Sequence, residues 1–318
     1  VPAYTTYSER DYDYIINDCE PSIIFISDNS QYIKIKKIIS EKKFIKKIIY
    51  FDEIKELNSE LFLDIRKIFK KEKQQAVNFS ELKIFRKDLS CIIYTSGTQG
   101  NPKGVMLSHG GILKNCEGAY DLLKPIISKN PNFLTWLPLS HSYEHTVQFV
   151  QIAVGAKVFY AERIEKLLEN ISQAKPTIMT AVPRFYQNLY NKINMNMKKA
   201  TGLKASLIKL TINLGKKKLL GIKMSIHEKF LNGLVEVLVR KKVKKQFGGN
   251  LKAFVSGGGA LDKEIGEFLN SIGLPTLQGY GLTETSPVVS CNPIHKIRVE
   301  TVGPPFKGNQ VKIAQDGE

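Results

Sequence analysis

Three stretches of this chain gather hydroxyls, glycines and charges in patterns suited to holding phosphate. The first, Tyr94–Gly104, reads YTSGTQGNPKG and directly follows the apolar run CII. Thr95, Ser96 and Thr98 can donate hydrogen bonds to phosphoryl oxygens. Gly97 and Gly100 let the backbone approach a ligand closely, and Lys103 adds positive charge. This is not a Walker loop, which needs GK[ST] running into a helix, because here Pro102 precedes Lys103 and the hydroxyls come before the glycines. A polyphosphate suits the combination, and a solvated turn is the competing reading, since Gly, Asn, Pro and Ser also dominate ordinary turns.

The second stretch, SGGGALDKEIGEF, follows LKAFVS and has Asp262 placed to cap a helix. Gly257, Gly258 and Gly259 would let a flat ligand lie against bare backbone, although a tight strand-to-helix turn explains a glycine triplet about as well. The third is LQGYGLTETSP, where Tyr280 stands between Gly279 and Gly281. An exposed aromatic on that frame can stack on a base, worth about 1–3 kcal/mol. Thr283 offers a phosphate donor. Glu284 offers a hard oxygen ligand of the kind Mg²⁺ takes one or two of while keeping its waters. Alone, Glu284 reads as an ordinary surface residue, and the two other loops reverse that.

Such loops need strand ends to position them. Short β-branched runs, SIIFIS, KKIIYF, SCIIYT, FLTWLPL, AKVFY, PTIMTAV, LKAFVS and LPTLQG, alternate with helix-period segments such as YSERDYDYIINDC, HGGILKNCEGAYDLL, RIEKLLENISQ and LDKEIGEFLNSIG. That order predicts an α/β fold of βαβ units, a largely parallel sheet flanked by helices, with ligands at the carboxyl ends of the strands. From Val299 the pattern changes to VETVGPPFKGNQVKIA, Gly- and Pro-rich with alternating apolar residues. We therefore expect residues 1–298 to form one α/β unit and 299–318 to begin a small β subdomain with NQVKIA as a strand. The chain starts without methionine and stops at AQDGE after that alternating run, so both ends read as cut.

Composition narrows the function classes. With 318 residues and 42% hydrophobic content the chain can build globular cores. The net charge of +17 raises the question of nucleic acid, but only seven of the 47 basic residues are arginine, the lysines mix with isoleucine as in QYIKIKKIISEKKFIKKII, and no RNP-like, zinc-finger or helix-turn-helix signature accompanies them. We expect no nucleic-acid partner. Cys19, Cys91, Cys116 and Cys291 lack CxxC spacing and read as reduced core thiols. There is no transmembrane-length apolar run and no signal-peptide pattern at the start, so a cytoplasmic protein is expected. The basic, amphipathic stretch at 203–249 leaves two readings open: packing against the sheet, or resting peripherally on the anionic inner membrane surface.

YTSGTQGNPKG, then LPLSHSYEH, then GYGLTETSP, resemble the adenylate-forming superfamily, in particular long-chain fatty acyl-CoA synthetases of the AMP-binding type. VPAYTT, AVPRFYQNLY, VSGGGALDKEIGEFLNSIGLP and TVGPPFKGNQVKIAQDGE sit in family order, so essentially the whole chain is covered. Gln99 departs from the usual TSGTTG and removes one hydroxyl. The resemblance implies the large N-terminal domain of these enzymes and a two-step reaction, with ATP, Mg²⁺ and coenzyme A as cofactors and a long-chain fatty acid as substrate. It implies that Thr95 and Glu284 help hold Mg²⁺, that residues 95–104, among them Lys103, bind the β- and γ-phosphates, that Gly257 to Ala260 and Tyr280 frame adenine, and that Thr283 bonds the α-phosphate. His141 in LPLSH would hydrogen-bond the reacting carboxylate, making His141, Lys103 and Glu284 the catalytic set. His109, His145, His227 and His295 receive no role, and Trp136 reads as core beside this site, with an acyl-tunnel wall as the alternative. The family's later elements, including its C-terminal lysine domain, are not found, so the chain resembles a central fragment expected to adenylate poorly alone. Two rival classes remain: another adenylate former, acting as an acyl-AMP ligase or on an aryl acid, and a non-catalytic nucleotide- or acyl-adenylate-binding module.

Overall fold

The β-branched runs become strands and the helix-period segments become helices. The computed structural model describes residues 1–54, 60–70, 81–96, 101–127 and 129–317. Contacts divide the chain into two compact units, Val1–Met106 and Leu107–Glu318.

In the first unit, α1 (Glu9–Cys19) opens on a capping box between Ser8 and Asp11. β1 (Ile23–Ile26), α2 (Asn29–Ile39), β2 (Lys47–Tyr50), β3 (Phe62–Asp64) and the short α3 (Ile65–Phe69) follow. β1, β2 and β3 form a parallel sheet in that order. Its core is built from isoleucines of strand and helix, Ile26, Ile35, Ile39 and Ile48, with Tyr12 and Tyr32. β4 (Leu89–Thr95) and β5 (Lys103–Ser108) make a separate two-stranded sheet, and β5 carries the chain into the second unit.

The second unit runs α4 (His109–Leu123), β6 (Asn132–Thr135), α5 (Ser142–Ala153), β7 (Lys157–Tyr160), α6 (Leu167–Ala174), β8 (Ile178–Ala181), α7 (Pro183–Lys198), α8 (Gly202–Leu219), α9 (Ile226–Val235), α10 (Lys241–Gln246), β9 (Ala253–Ser256), α11 (Lys263–Ser271), β10 (Thr276–Gly281) and β11 (Val288–Cys291). A π-helical turn, Glu236–Arg240, joins α9 to α10. The sheet order is β11-β10-β9-β8-β6-β7, parallel except for β11. From β6 the chain moves outward through α5 to β7, then returns through α6 to β8 on the other side of β6, and continues to β9 and β10. The connections leaving β6 and β8 therefore diverge, which opens a crevice at the carboxyl ends of these neighbours.

α6, α7 and α11 cover the sheet with one apolar cluster that includes Ile171, Leu189, Leu269 and Leu274. At its centre Phe254 meets Phe185, Tyr186 and Phe247, the last two edge-on. Losing such a buried ring typically costs roughly 3–5 kcal/mol. α4 and α5 pack together elsewhere in this unit.

Three local expectations differ from the structure. The strand in FLTWLPL ends at Thr135, because Pro138 has no N–H for a ladder and Trp136 turns its indole N–H to Thr180 O, at 2.8 Å. NQVKIA is no strand: Val311 and Ile313 are exposed and no described segment runs alongside to pair with it, the nearest bridge being Ser290 with Pro305. KGVMLS, not among the expected strands, alternates and forms β5 by pairing with β4.

Candidate active site

Of the phosphate-type loop in the first unit, Thr95 ends β4, Ser96 is exposed beyond it, and exposed Lys103 begins β5. Gly97, Thr98 and Gly100, with Gln99, lie outside the described residues. Tyr94 is buried and donates its hydroxyl to Asp18 Oδ2 at 2.5 Å, which ties β4 to α1. Burial and this carboxylate hold the phenol well above its ordinary pKa. Gly104 is explained by packing: a Cβ there would sit 2.9 Å from Ile92 Cγ2 and 3.2 Å from the Tyr94 ring.

The second unit brings the other motifs to the carboxyl edge of its sheet. After β6, Trp136 leads into the loop carrying His141, which caps α5: its Nδ1 accepts from Tyr143 N at 3.2 Å. The ring's proton then belongs on Nε2, free to donate to a ligand. Desolvation by the surrounding protein lowers the pKa of His141, so the imidazole stays neutral. The next three residues each anchor the loop to a different strand or motif. Ser142 Oγ lies 3.0 Å from Thr283 Oγ1. Tyr143 donates its hydroxyl to Val255 O at 3.0 Å. Glu144, wholly buried, accepts from Thr180 Oγ1 at 2.9 Å.

Glu144 belongs to a polar seam between α5 and the sheet. Gln148 and Gln151 both donate to Thr135 Oγ1, at 2.8 and 3.1 Å, and Tyr160 donates to Gln148 Oε1 at 3.0 Å. Glu144 Oε1, Gln151 Oε1 and Ser256 Oγ are buried without a hydrogen-bond partner among the described residues. Burial outweighs the hydrogen bonds to the Glu144 carboxyl and pushes its pKa up to about 7. Trp136 is half-buried and packs on Phe185 with ring centroids 5.4 Å apart.

The glycine triplet divides into three roles. Gly257 is buried under Tyr143, whose ring a Cβ would approach to 3.0 Å. Gly258 has φ +77, a conformation that disfavours other residues. Gly259 meets nothing closer than Pro183 Cγ at 3.5 Å, so neither packing nor backbone demands glycine there. Gly259 and Ala260 are exposed and form the bare surface that a flat ligand could use. Buried Gln278 fixes this loop to β10, accepting from Leu261 N at 2.5 Å and donating to Thr301 O at 3.1 Å.

Tyr280, 48% exposed, stands on β10 between two glycines that the hairpin with β11 requires. A Cβ on Gly279 would meet Ser290 O at 3.2 Å, and one on Gly281 would overlap Pro287 O. Thr283 and Glu284 follow in a tight 3-10 turn. Thr285 Oγ1 pins the turn to Leu282 O and Pro287 O, and Asn115 of α4 braces β11 through both the N–H and C=O of Val288. Glu284 is exposed and makes no bond to another described side chain, so its carboxylate is available. Among the described residues no three His, Cys, Asp or Glu side chains group as a metal cage. One free carboxylate with phosphate oxygens and water still fits Mg²⁺, which seldom uses a dedicated cage.

The second unit thus gathers His141, Gly259, Ala260, Thr283 and Glu284 on loops, and Tyr280 at the end of β10, at one edge. Sequence reasoning missed Ser142, Tyr143, Glu144, Thr180 and Gln278, which position these loops. The apolar-side spacing of Tyr143 and Glu144 within SYEHTVQFVQIA was the available signal, since both fall on the buried face of α5.

Comparison with known proteins gives the family. The family model described as AMP-binding enzyme matches residues 1–318, and the chain belongs to that adenylate-forming family. It is 26% identical to the long-chain-fatty-acid–CoA ligase FadD15 of Mycobacterium bovis, over 100% of this chain and 53% of that protein. It is 35% identical to the peroxisomal long chain acyl-CoA synthetase 6 of Arabidopsis thaliana, over 64% of this chain and 28% of that protein. In fold it resembles the anthranilate CoA ligase AuaEII in complex with anthranoyl-AMP, at TM-score 0.69 and 19% identity over 99% of this chain and 52% of that one. The chain spans about half the length of the curated relatives it matches over its full extent.

Proposed function

We propose that this chain is the acid-activating part of a longer long-chain fatty acyl-CoA synthetase. A carboxylate oxygen of the fatty acid attacks the α-phosphorus of ATP, the bond to the bridging oxygen breaks, and acyl-AMP and pyrophosphate form. The thiol of coenzyme A then adds to the acyl carbon, AMP leaves, and the thiol proton passes to solvent. The observation that carries the reading is the convergence of the His141, Gly259–Ala260 and Thr283–Glu284 loops at the carboxyl edge beside a topological switch point.

Both reactants are anions, so the residues' work is neutralisation and positioning. In this reading neutral His141 donates Nε2–H to the acid, holding it without adding a competing proton source. Thr283, fixed by Ser142, bonds the α-phosphate. Gly259 and Ala260 floor the adenine, with Tyr280 stacked on it. Thr95, Ser96, Gly97, Thr98, Gly100 and Lys103 hold the β- and γ-phosphates. Mg²⁺, with Glu284 as one ligand, would offset charge on the triphosphate. On this assignment Lys103→Ala should weaken ATP binding at least tenfold while altering AMP binding less than threefold, measured by calorimetry. Equal losses would move the lysine off the outer phosphates.

The names of the relatives support the fatty-acid class, and a chain-length series tests it. Each further buried CH₂ contributes about 0.8 kcal/mol before the cost of ordering the chain. We expect kcat/KM of the longer enzyme to rise steeply from about C8 to C14 and then level off. A preference for acetate or an aromatic acid would reassign the substrate and leave the adenylating chemistry in place.

A further inference from the structure

α9 shows an apolar stripe to the outside of its unit. Ile226, Phe230 and Leu234, continued by Val237 in the π-helical turn, recur at helical spacing and are 88%, 71%, 41% and 54% exposed. Leu220 and Ile222, in the turn before α9, are at least half exposed as well. The inward face of the same helix carries fully buried Val235 and packs on α8, so packing accounts for that face and leaves the stripe uncovered. Residues 216–245 hold ten basic side chains and two acidic ones. Both acids are engaged, Glu228 with Lys217 and Glu236 with Arg240 and Lys244. Lys218, Lys223, Lys229, Lys241, Lys242 and Lys245 are exposed and form no ion pair among the described residues.

Beside this face a cavity of about 650 Å³ opens, lined by Lys218, Leu220, Lys244, His295, Lys296 and Arg298. It lies against Pro275, at the amino end of β10, and so at the opposite edge of the sheet from the Thr283–Glu284 loop. Apolar side chains standing among unpaired lysines fit a surface that offers hydrocarbon and negative charge together. Nucleic acid offers the charge without the hydrocarbon. A second copy would bring the same positive face. Arg240, the one arginine between Ile226 and Gln246, ends the π-helical turn and is buried and spent on Ser271 O, Thr211 O and Asn232 Oδ1, so no guanidinium fork reaches outward.

We propose that the α8–α9 turn, α9 and α10 form a docking face for an anionic phospholipid bilayer, with Ile226, Phe230 and Val237 entering the headgroup layer and the free lysines meeting lipid phosphates. The inference does not depend on the adenylation reading, because its test reads binding alone.

The test is cosedimentation of the 318-residue chain with vesicles of phosphatidylcholine, with and without about one-third phosphatidylglycerol. The chain should pellet with the anionic vesicles and stay in the supernatant with the neutral ones. Ile226→Ser with Phe230→Ser, both on exposed positions, should lower partitioning at least tenfold without changing the urea midpoint. Lys229→Glu, Lys241→Glu and Lys242→Glu together should do the same. The charge-matched control Lys37→Glu, Lys43→Glu and Lys46→Glu, on the first unit, should stay within threefold of the parent. No binding to anionic vesicles would overturn the proposal. So would an unchanged Ile226/Phe230 variant or an equal loss in the control, either of which would reduce the effect to net charge. Concentration-dependent dimerisation abolished by Phe230→Ser would assign the face to a second copy instead, and protection of Phe230 by added flanking portions of the protein would assign it to them.

Discussion

Glu284→Ala is expected to lower acyl-adenylate formation by roughly 10²–10³-fold, the usual loss when one preorganised electrostatic partner of a reacting phosphate is removed. The prediction follows from position. The carboxylate is exposed, bonds to no described side chain, and sits on a turn whose own hydrogen bonds come from Thr285 and Leu282. Removing it should therefore leave the turn and the fold in place, with stability within about 0.5 kcal/mol of the parent. Fatty-acid-dependent pyrophosphate exchange and a urea titration would read the two quantities separately. Normal exchange by the variant would take Glu284 out of the site.

The second large effect concerns Glu144. Its carboxyl is buried at the start of α5 and its pKa is pushed up to about 7, whereas a free glutamate titrates near 4.3. In the folded chain the neutral form is favoured, so this group opposes folding once the unfolded chain begins to ionise. Its unfavourable share is absent below the unfolded pKa, grows as pH rises, and is complete above the folded pKa of about 7. Between pH 5 and 8 the difference should amount to roughly 2–3 kcal/mol. Glu144→Gln keeps the shape and an acceptor for Thr180 Oγ1 but cannot ionise. The stability of the variant relative to the parent should therefore improve by roughly 2–3 kcal/mol between pH 5 and 8 in urea titrations. Curves that stay parallel across this range would mean that Glu144 is ionised in the folded protein.

How far the sequence could be read depended on what each signal measures. Hydrophobic period reports burial, and it located α4 and α11 almost to the residue, because HGGILKNCEGAYDLL and DKEIGEFLNS carry their caps and their inward faces in one stretch. It could not place β3, whose three residues are too few to show a period, whereas β5 does alternate beside its partner β4, and it promised a strand at NQVKIA that pairs with no described segment. The loops at the sheet edge were visible through composition. The reasons for their individual glycines were not: Gly257 is set by a tyrosine 114 positions earlier, and Gly281 by the carbonyl of Pro287. The seam of Glu144, Thr180 and Thr135 was invisible for the same reason, being a contact between a helix and two strands that the sequence lists far apart.

The role proposed for the carboxyl-edge loops is to activate a fatty acid as its adenylate. The measurement that reaches this most directly is ATP–pyrophosphate exchange by the chain joined to the flanking portions its relatives have, with palmitate, benzoate and no acid in parallel and no coenzyme A present. The account predicts exchange that requires palmitate and falls sharply in His141→Ala and Glu284→Ala. Exchange with benzoate alone would contradict the substrate assignment. Its absence with every acid, in a folded protein that binds ATP, would contradict the central claim.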